Sequence, residues 1–276
     1  MNILITGASG FVGYNLLYYL NKDSNLNLFV TSRKKNIDTF KNIKLFTVDI
    51  SKEKNFKFLK DIDVVIHLAA SQHYSGEKNN KNFYKETNII GTNNLIRYAI
   101  KNKVKKFIYL STLQVHGEFS EKGKPISESS KLNPRNEYAK SKLFAENKLI
   151  ELCKISNMKF VILRCPLIYG GNVRGNIKIL NFIINIGLPL PFKGMNNLKS
   201  YVDIKKVISF LYFCLNSIEV DNQIYLIKDE KDISLQGFVR RIIKDNNKKN
   251  ILFYTPRFII YFFLILIRKK NIYQKI

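Results

Sequence analysis

Residues 2–13 read Asn2-Ile-Leu-Ile-Thr6-Gly7-Ala-Ser-Gly10-Phe11-Val12-Gly13, and this stretch decides the fold. Its apolar, β-branched start predicts a first strand, its glycines a tight turn, and the amphipathic segment Tyr14–Leu20 a helix. Strand, glycine-rich turn and helix in that order build a site for a dinucleotide diphosphate, because the free amides of a helix N-terminus attract anions. Gly7 permits the turn, Gly10 lets the backbone approach the phosphates, and Gly13 lets the helix lie close to its strand. The spacing, Gly-x-x-Gly-x-x-Gly, is one residue longer at its start than the standard fingerprint.

Outward from this stretch the chain alternates strand and helix signals. Leu26–Ser32, Ile43–Val48 and Asp63–Leu68 read as strands two to four, and Phe83–Lys101 as a long helix. Lys106–Ser111 is a fifth strand, Arg135–Cys153 a helix, and Phe160–Arg164 a sixth strand. This alternation predicts an α/β fold with a doubly wound parallel sheet. Right-handed crossovers bring the strand C-terminal ends to one edge, where ligands bind. That edge gathers Gly7–Gly13, Ser32-Arg33, Asp49, Ala69-Ala70, Ser111-Thr112 and Arg164–Gly170.

Tyr138-Ala-Lys-Ser-Lys142 sits on the predicted helix at 135–153, and its four-residue spacing puts Tyr138 and Lys142 on one face. A free tyrosine ionises near ~10, and an adjacent ammonium favours its phenolate, moving it toward the range of a general acid–base. Lys140 is two residues from Tyr138 and faces elsewhere. In a lysine-rich chain the pattern alone reads as a solvated helix face; the neighbouring cofactor turn gives it weight.

Composition narrows the partners. The net charge is +25, but 37 of the 46 cations are lysines scattered among asparagine and isoleucine, without the arginine–aromatic interleaving of an RNA platform. The expectation is no nucleic-acid partner. Cys153, Cys165 and Cys214 lie far apart, and His67, His73 and His116 lack metal-ligand spacing, so a reducing compartment and no metal are expected. The first strand begins at Asn2, so the reading is a cytoplasmic protein without a leader.

After Gly170 the texture changes: Gly187-Leu-Pro-Leu-Pro191, Gly194 and Thr255-Pro256 interrupt helix-like runs. The expected organisation is a first domain over 1–168 and a smaller lobe over 169–276, with strands such as Gln223–Ile227 returning to the first sheet. Phe258–Ile267 is an apolar run flanked by Arg257 and Arg268-Lys-Lys270. It is shorter than the ~20 residues of a spanning helix. It reads as a helix packing on the lobe, with peripheral membrane contact through 256–270 as the alternative.

TGASGFVG at 6–13, HLAA at 67–70, Asn88-Ile-Ile-Gly91-Thr92, YLST at 109–112, YAKSK at 138–142 and LRCPLIYG at 163–170 occur in this order over roughly residues 1–205. In these motifs the chain resembles the extended short-chain dehydrogenases/reductases, and more narrowly the NAD-dependent epimerase/dehydratase family. GGNVRGN at 170–176 and NNLKSYVD at 196–203 are most similar to a branch of UDP-glucose 4-epimerase-like proteins and UDP-sugar 4-keto reductases.

The resemblance implies a Rossmann-type sheet with a partly interleaved C-terminal substrate lobe, a UDP-hexose substrate, a homodimer built on the helices at 83–101 and 135–153, and NADP(H) or NAD(H) as cofactor. It implies Tyr138 as acid–base, Lys142 as the residue that lowers its pKa and holds the nicotinamide ribose, and Thr112 as the hydroxyl that orients the reacting oxygen. The cofactor would run beside Gly7, Gly10, Phe11, Val12, Gly13, Ile50, Leu68, Ala69, Ala70 and Pro166. Asp49 would accept from the adenine amino group or serve as a helix cap. Asn88 would touch the cofactor or hold structure. Arg174, Asn176 and Lys199 would bind the nucleotide diphosphate or sugar. His67 and His116 read as hydrogen-bonded core residues, and Arg164 as a brace or a substrate contact.

Two departures stand out. Strand two ends in Ser32 followed by Arg33, Lys34 and Lys35, where an NAD-preferring enzyme usually carries a carboxylate. The expectation is therefore NADP(H) over NAD(H). Family members also commonly run several tens of residues beyond the position where this chain stops.

Overall fold

The apolar N-terminal run forms β1 (Asn2–Thr6), with Ile3, Leu4 and Ile5 fully buried because the strand is covered on both faces. In this computed structural model of the 276-residue chain, residues 1–33, 40, 43–53, 56–72, 81–120, 124–171 and 176–256 are described. The glycine turn leads into α1 (Phe11–Leu20), followed by β2 (Asn27–Ser32), β3 (Ile43–Thr47) and β4 (Val64–His67). The long helix expected over 83–101 is a short α2 (Lys81–Tyr84), a π-helical turn over Lys85–Gly91, and α3 (Thr92–Lys101). A side chain at Gly91 would come within 3.0 Å of the Ile50 carbonyl oxygen, so only glycine lets the π-turn lie against that backbone.

β5 (Lys106–Thr112), α4 (Glu137–Lys154), β6 (Lys159–Cys165) and β7 (Leu167–Tyr169) complete the first stretch. Asn136 starts α4 by accepting a 2.8 Å hydrogen bond from the Ala139 amide. The chain continues through α5 (Asn176–Asn185), β8 (Leu190–Lys193), β9 (Leu198–Lys199) and β10 (Tyr201–Asp203). It then passes through α6 (Ile204–Asn216), β11 (Gln223–Leu226), β12 (Ile233–Ser234), α7 (Leu235–Asp245) and β13 (Leu252–Tyr254).

Seven strands form one parallel sheet in the order β11-β6-β5-β4-β1-β2-β3. The order reverses between β1 and β4, which opens a crevice at their C-terminal ends. Leu16 and Leu17 of α1 pack on one face with Val207 and Leu211 of α6. Leu95 and Ile96 of α3 pack on the other with Leu149 and Leu152 of α4. The inward residues of α6 recur at three- and four-residue steps (Ile204, Val207, Ile208, Leu211, Cys214, Leu215), the periodicity of a helix buried along one stripe.

The chain divides into two compact units rather than at a single cut near 168. The first comprises Met1–Gly171 with Val202–Lys228, because α6 is the crossover that brings β11 beside β6. The second comprises Asn172–Tyr201 with Asp229–Ile276. Within it β9 pairs with β12 and β8 with β13, Ser234 caps α7 through the Gly237 amide at 3.0 Å, and the Tyr201 and Phe238 rings stack at 4.1 Å. The apolar run 258–267 lies outside the described residues.

Candidate active site

The glycine turn lies at the crevice. Gly7 has φ of +72°, and a Cβ there would sit 2.6 Å from the Ala69 amide nitrogen, so the turn is pressed against the loop after β4. A Cβ on Gly13 would come within 2.4 Å of the Gly7 carbonyl oxygen, so α1 also needs a bare backbone there. The Gly10 amide is used by Gly7 at 2.9 Å. The amides of Phe11, Val12 and Gly13 open the helix and have no acceptor within it. This cradle of backbone donors fits a dinucleotide diphosphate.

Beneath the turn, His67 is fully buried and wires β1 to α3. Its Nδ1 lies 2.6 Å from Thr6 Oγ1 and its Nε2 2.8 Å from Thr92 Oγ1. Thr92 donates its hydroxyl proton to the Thr87 carbonyl at 3.3 Å, so it accepts from His67, which therefore carries its proton on Nε2. Thr6 then donates to Nδ1 and accepts from the Ala69 amide at 3.3 Å. Burial and the Lys142 charge push the imidazole down to about 3, so it stays neutral. The neutral, doubly bonded histidine thus ties Thr6, which precedes the glycine turn and accepts from the Ala69 amide, to Thr92 of α3.

Tyr138 and Lys142 sit one turn apart on α4, with Tyr138 half-buried and Lys142 only 2% exposed. The Tyr138 hydroxyl accepts 2.9 Å from Gln72 Nε2, in the loop after β4. The Lys142 ammonium lies 4.1 Å from the centre of the Tyr109 ring, a cation–π contact. Burial pulls Lys142 down to about 7, against the opposing pull of Glu146. Thr112 ends β5 and is buried, its hydroxyl accepting from the Gln114 amide at 3.3 Å. Lys140 points to solvent and pairs with Glu137 at 2.8 Å, which separates it from this cluster.

Asn88, in the π-turn, ties the parts together. Its Oδ1 accepts from the Ser71 amide at 2.8 Å, and its Nδ2 donates to the Ser71 carbonyl at 3.2 Å and to Ser141 Oγ at 3.0 Å. Ser141 in turn donates to the Tyr138 carbonyl at 2.8 Å. The amide of Asn88 is thus engaged in holding the loop after β4 to the helix that carries Tyr138.

A second polar knot lies one turn deeper. Arg164 grips Glu146 through Nε at 3.3 and 3.2 Å and Nη2 at 2.7 Å, with both side chains inaccessible. Ser111 also donates to Glu146. Arg164 Nη1 contacts His116 Nε2 at 3.0 Å, and because guanidinium only donates, His116 carries its proton on Nδ1, directed at the Ser130 carbonyl 3.0 Å away. Burial and Arg164 lower the His116 pKa.

A family model described as "NAD dependent epimerase/dehydratase family" matches residues 3–227. UDP-glucose 4-epimerase of Vibrio cholerae is 35% identical over 246 residues, covering 87% of this chain and 74% of that protein. The chain belongs to the NAD-dependent epimerase/dehydratase family. The dTDP-D-glucose 4,6-dehydratase of Dictyostelium discoideum is 30% identical over 87% of this chain, which spans 61% of that relative. Among solved structures, UDP-glucuronic acid 4-epimerase from Bacillus cereus in complex with NAD superposes with a TM-score of 0.78 at 24% identity, over 92% of this chain and 87% of that one. UDP-glucose 4-epimerase from Thermotoga maritima with UDP-glucose gives 0.79 at 22% identity, over 93% and 86%. These two share the fold.

Within this family fold the other expected site residues are distributed unevenly. Asp49 accepts from the Ser51 amide at 3.0 Å and the Ser51 hydroxyl at 2.7 Å, a local turn of the capping kind. Burial raises its carboxyl pKa, but Ser51 and the charges of Arg33 and Lys52 outweigh this and hold it low. Ser32 is buried and Arg33 exposed, while Lys34 and Lys35 lie outside the described residues. Ile50 is buried, and Leu68, Ala69 and Ala70 line the loop after β4. Pro166 follows β6. Arg174 lies outside the described residues, Asn176 begins α5, and Lys199 lies on β9 in the second unit. Sequence reasoning missed Gln72, Ser141 and Glu146. Only Glu146 had a signal, as a carboxylate four residues after Lys142 on the buried stripe of α4.

Proposed function

We propose that this chain is an NAD(P)-dependent nucleotide-sugar enzyme that moves hydride at C4 of a UDP-linked hexose, as an epimerase or a 4-keto reductase. The observation that carries this reading is the set of Tyr138, Lys142 and Thr112 at the strand edge that also holds the glycine turn. A bound nicotinamide supplies the hydride acceptor and donor. Tyr138 takes the proton of the C4 hydroxyl as a ketone forms, and returns it when the ketone is reduced. Lys142 favours the phenolate of Tyr138, and Thr112 orients the reacting oxygen. Arg174, Asn176 and Lys199 hold the nucleotide-sugar in this reading.

The same reading takes Arg33 as a contact for a 2′-phosphate, giving NADP(H) preference over NAD(H). Its support is an exposed guanidinium after Ser32 at the end of β2. Arg33→Asp should reverse the ratio of NADP to NAD affinities, and an unchanged ratio removes Arg33 as the discriminator. A role in surface polysaccharide synthesis, a cytoplasmic homodimer and peripheral membrane contact through 256–270 complete the proposal. An Escherichia coli relative named as an epimerase of an undecaprenol-linked sugar, 28% identical over 90% of this chain, is consistent with work near a membrane. Among the described residues no helix is long and apolar enough to cross one.

The test is incubation with UDP-sugars and with their 4-keto-6-deoxy derivatives, following NADPH loss and product NMR together. Interconversion without net NADPH loss identifies an epimerase, and stoichiometric loss a reductase. A folded protein that binds cofactor but gives neither outcome refutes the enzymatic reading.

A further inference from the structure

Two charged residues occupy the buried stripe of α4, where apolar side chains would pack at lower cost: Lys142 and, four residues on, Glu146, which is fully buried. β5 and β6 place Ser111 directly opposite Arg164, and both reach the same carboxylate. Glu146 thus joins the ends of two strands to the helix that carries Tyr138. We infer that Glu146 is a positioning residue: held by Arg164 and Ser111, it supplies the counter-charge for Lys142 and fixes the strand end that carries Thr112.

The groups facing Lys142 leave Glu146 as its anion. From β4, His67 is neutral at about 3. From β5, the Tyr109 phenol is raised well above its ordinary value by burial, so it presents a neutral ring. From β6, burial pushes the Cys165 thiol up to about 12, so it carries no charge at neutral pH. On α4 itself, Tyr138 is the group whose charge changes in the reaction. The charge of Glu146 raises Lys142, opposing the burial that brings it to about 7. Around Glu146 stand Arg164, Ser111 and His116, together with the neutral Tyr109. A purely structural ion pair could be replaced by apolar side chains at little cost; a counter-charge cannot be replaced without changing the proton affinity of Lys142.

This inference rests on reading Tyr138 and Lys142 as the acid–base pair, so its test uses a readout independent of turnover. In protein labelled at lysine with carbon-13, the Lys142 Cε resonance is assigned as the one missing from Lys142→Met, and its pH titration is followed. The wild-type midpoint is expected near 7. Glu146→Gln, which keeps the shape and removes the charge, should lower the midpoint by about one pH unit. Glu146→Asp, which keeps the charge, should leave it near the wild-type value. If Glu146→Gln fails to fold, Arg164→Met, which removes the guanidinium that neutralises Glu146, should raise the midpoint, because the carboxylate then acts on Lys142 unopposed. A midpoint that stays in place in folded Glu146→Gln, or in folded Arg164→Met where that variant is used, overturns the inference, whether or not stability falls. Where turnover is measurable, the basic limb of kcat/KM should move with the midpoint. A wild type without turnover refutes the enzymatic reading instead and leaves the titration to decide the role of Glu146.

Discussion

Among the described residues the first unit buries two lysines, and they are treated in opposite ways. Lys106 opens β5 and is 7% exposed; its ammonium donates to the carbonyls of Cys214 at 3.0 Å and Ser217 at 2.7 Å, and pairs with Asp221 at 2.7 Å. It sits at the C-terminal end of α6, where the helix dipole favours a cation. Lys142 lies toward the other end of the sheet with an aromatic face beside its ammonium, and burial brings it to about 7. A lysine satisfied by oxygen acceptors is a strut. One held against an aromatic face, with its proton affinity lowered by burial, fits the acid–base role proposed for the Tyr138 pair. The depth of burial is similar, so the acceptors make the difference.

The sharpest way to break this comparison is at the phenol beside Lys142. Tyr138→Phe should reduce turnover by about 10³-fold or more while dinucleotide affinity, read by calorimetry, stays within a few-fold. A variant that keeps its turnover would end the special status of the Lys142 pocket.

Next comes the stability cost of Lys142 itself. Its folded pKa lies below its unfolded value of 10.5, so the unfolded state binds the extra proton. The penalty is therefore full below about 7 and fades as pH rises from about 7 toward 10.5. Lys142→Met should lose turnover by about 10²-fold. It should also be more stable than wild type near pH ~6, with the gain shrinking toward pH ~10 in denaturant titrations. A constant difference across that range would contradict the assignment.

Lys106→Met should show the converse. It leaves Asp221 and two helix-end carbonyls without their cation and should cost about 3 kcal/mol in urea unfolding. kcat/KM of the folded fraction should stay within about two-fold of wild type, because the polar partners of Lys106 are Cys214, Ser217 and Asp221, away from the described residues of the candidate site. A larger loss would make the strut part of the site.

The smallest effect tests whether the pocket depends on its frame. Asn88→Ala deprives the Ser71 amide of its acceptor and Ser141 of a donor. It should cost about 1–2 kcal/mol and lower kcat/KM more than it lowers cofactor affinity. Equal losses in the two would make Asn88 a cofactor contact instead.

How much of this was legible in the chain differs from element to element. The glycine turn and Tyr138/Lys142 could be read because each depends on neighbours within one turn or loop, where spacing is geometry. The return of Gln223–Ile227 to the first sheet was also read, and β11 does pair with β6 some 60 residues earlier in the chain, whereas the apolar stripe of α6, the crossover that brings it there, was not. The π-turn at Lys85–Gly91 was read as ordinary helix, since nothing local in Asn88-Ile-Ile-Gly91 records that the backbone of Ile50 lies against it. The proton positions on His67 and His116 follow from partners as far as 61 and 48 residues away in the chain.

By itself the sequence determined the parallel α/β class, the cofactor turn and the tyrosine–lysine turn of α4, because short-range periodicity and backbone sterics act within a few residues. The tertiary structure alone decided which buried lysine is ringed by oxygen acceptors and which lies against an aromatic face, and that Glu146 meets Arg164 and Ser111. Those outcomes depend on which oxygen atoms surround a charge once water is excluded, and the surrounding atoms come from strands distant in the chain.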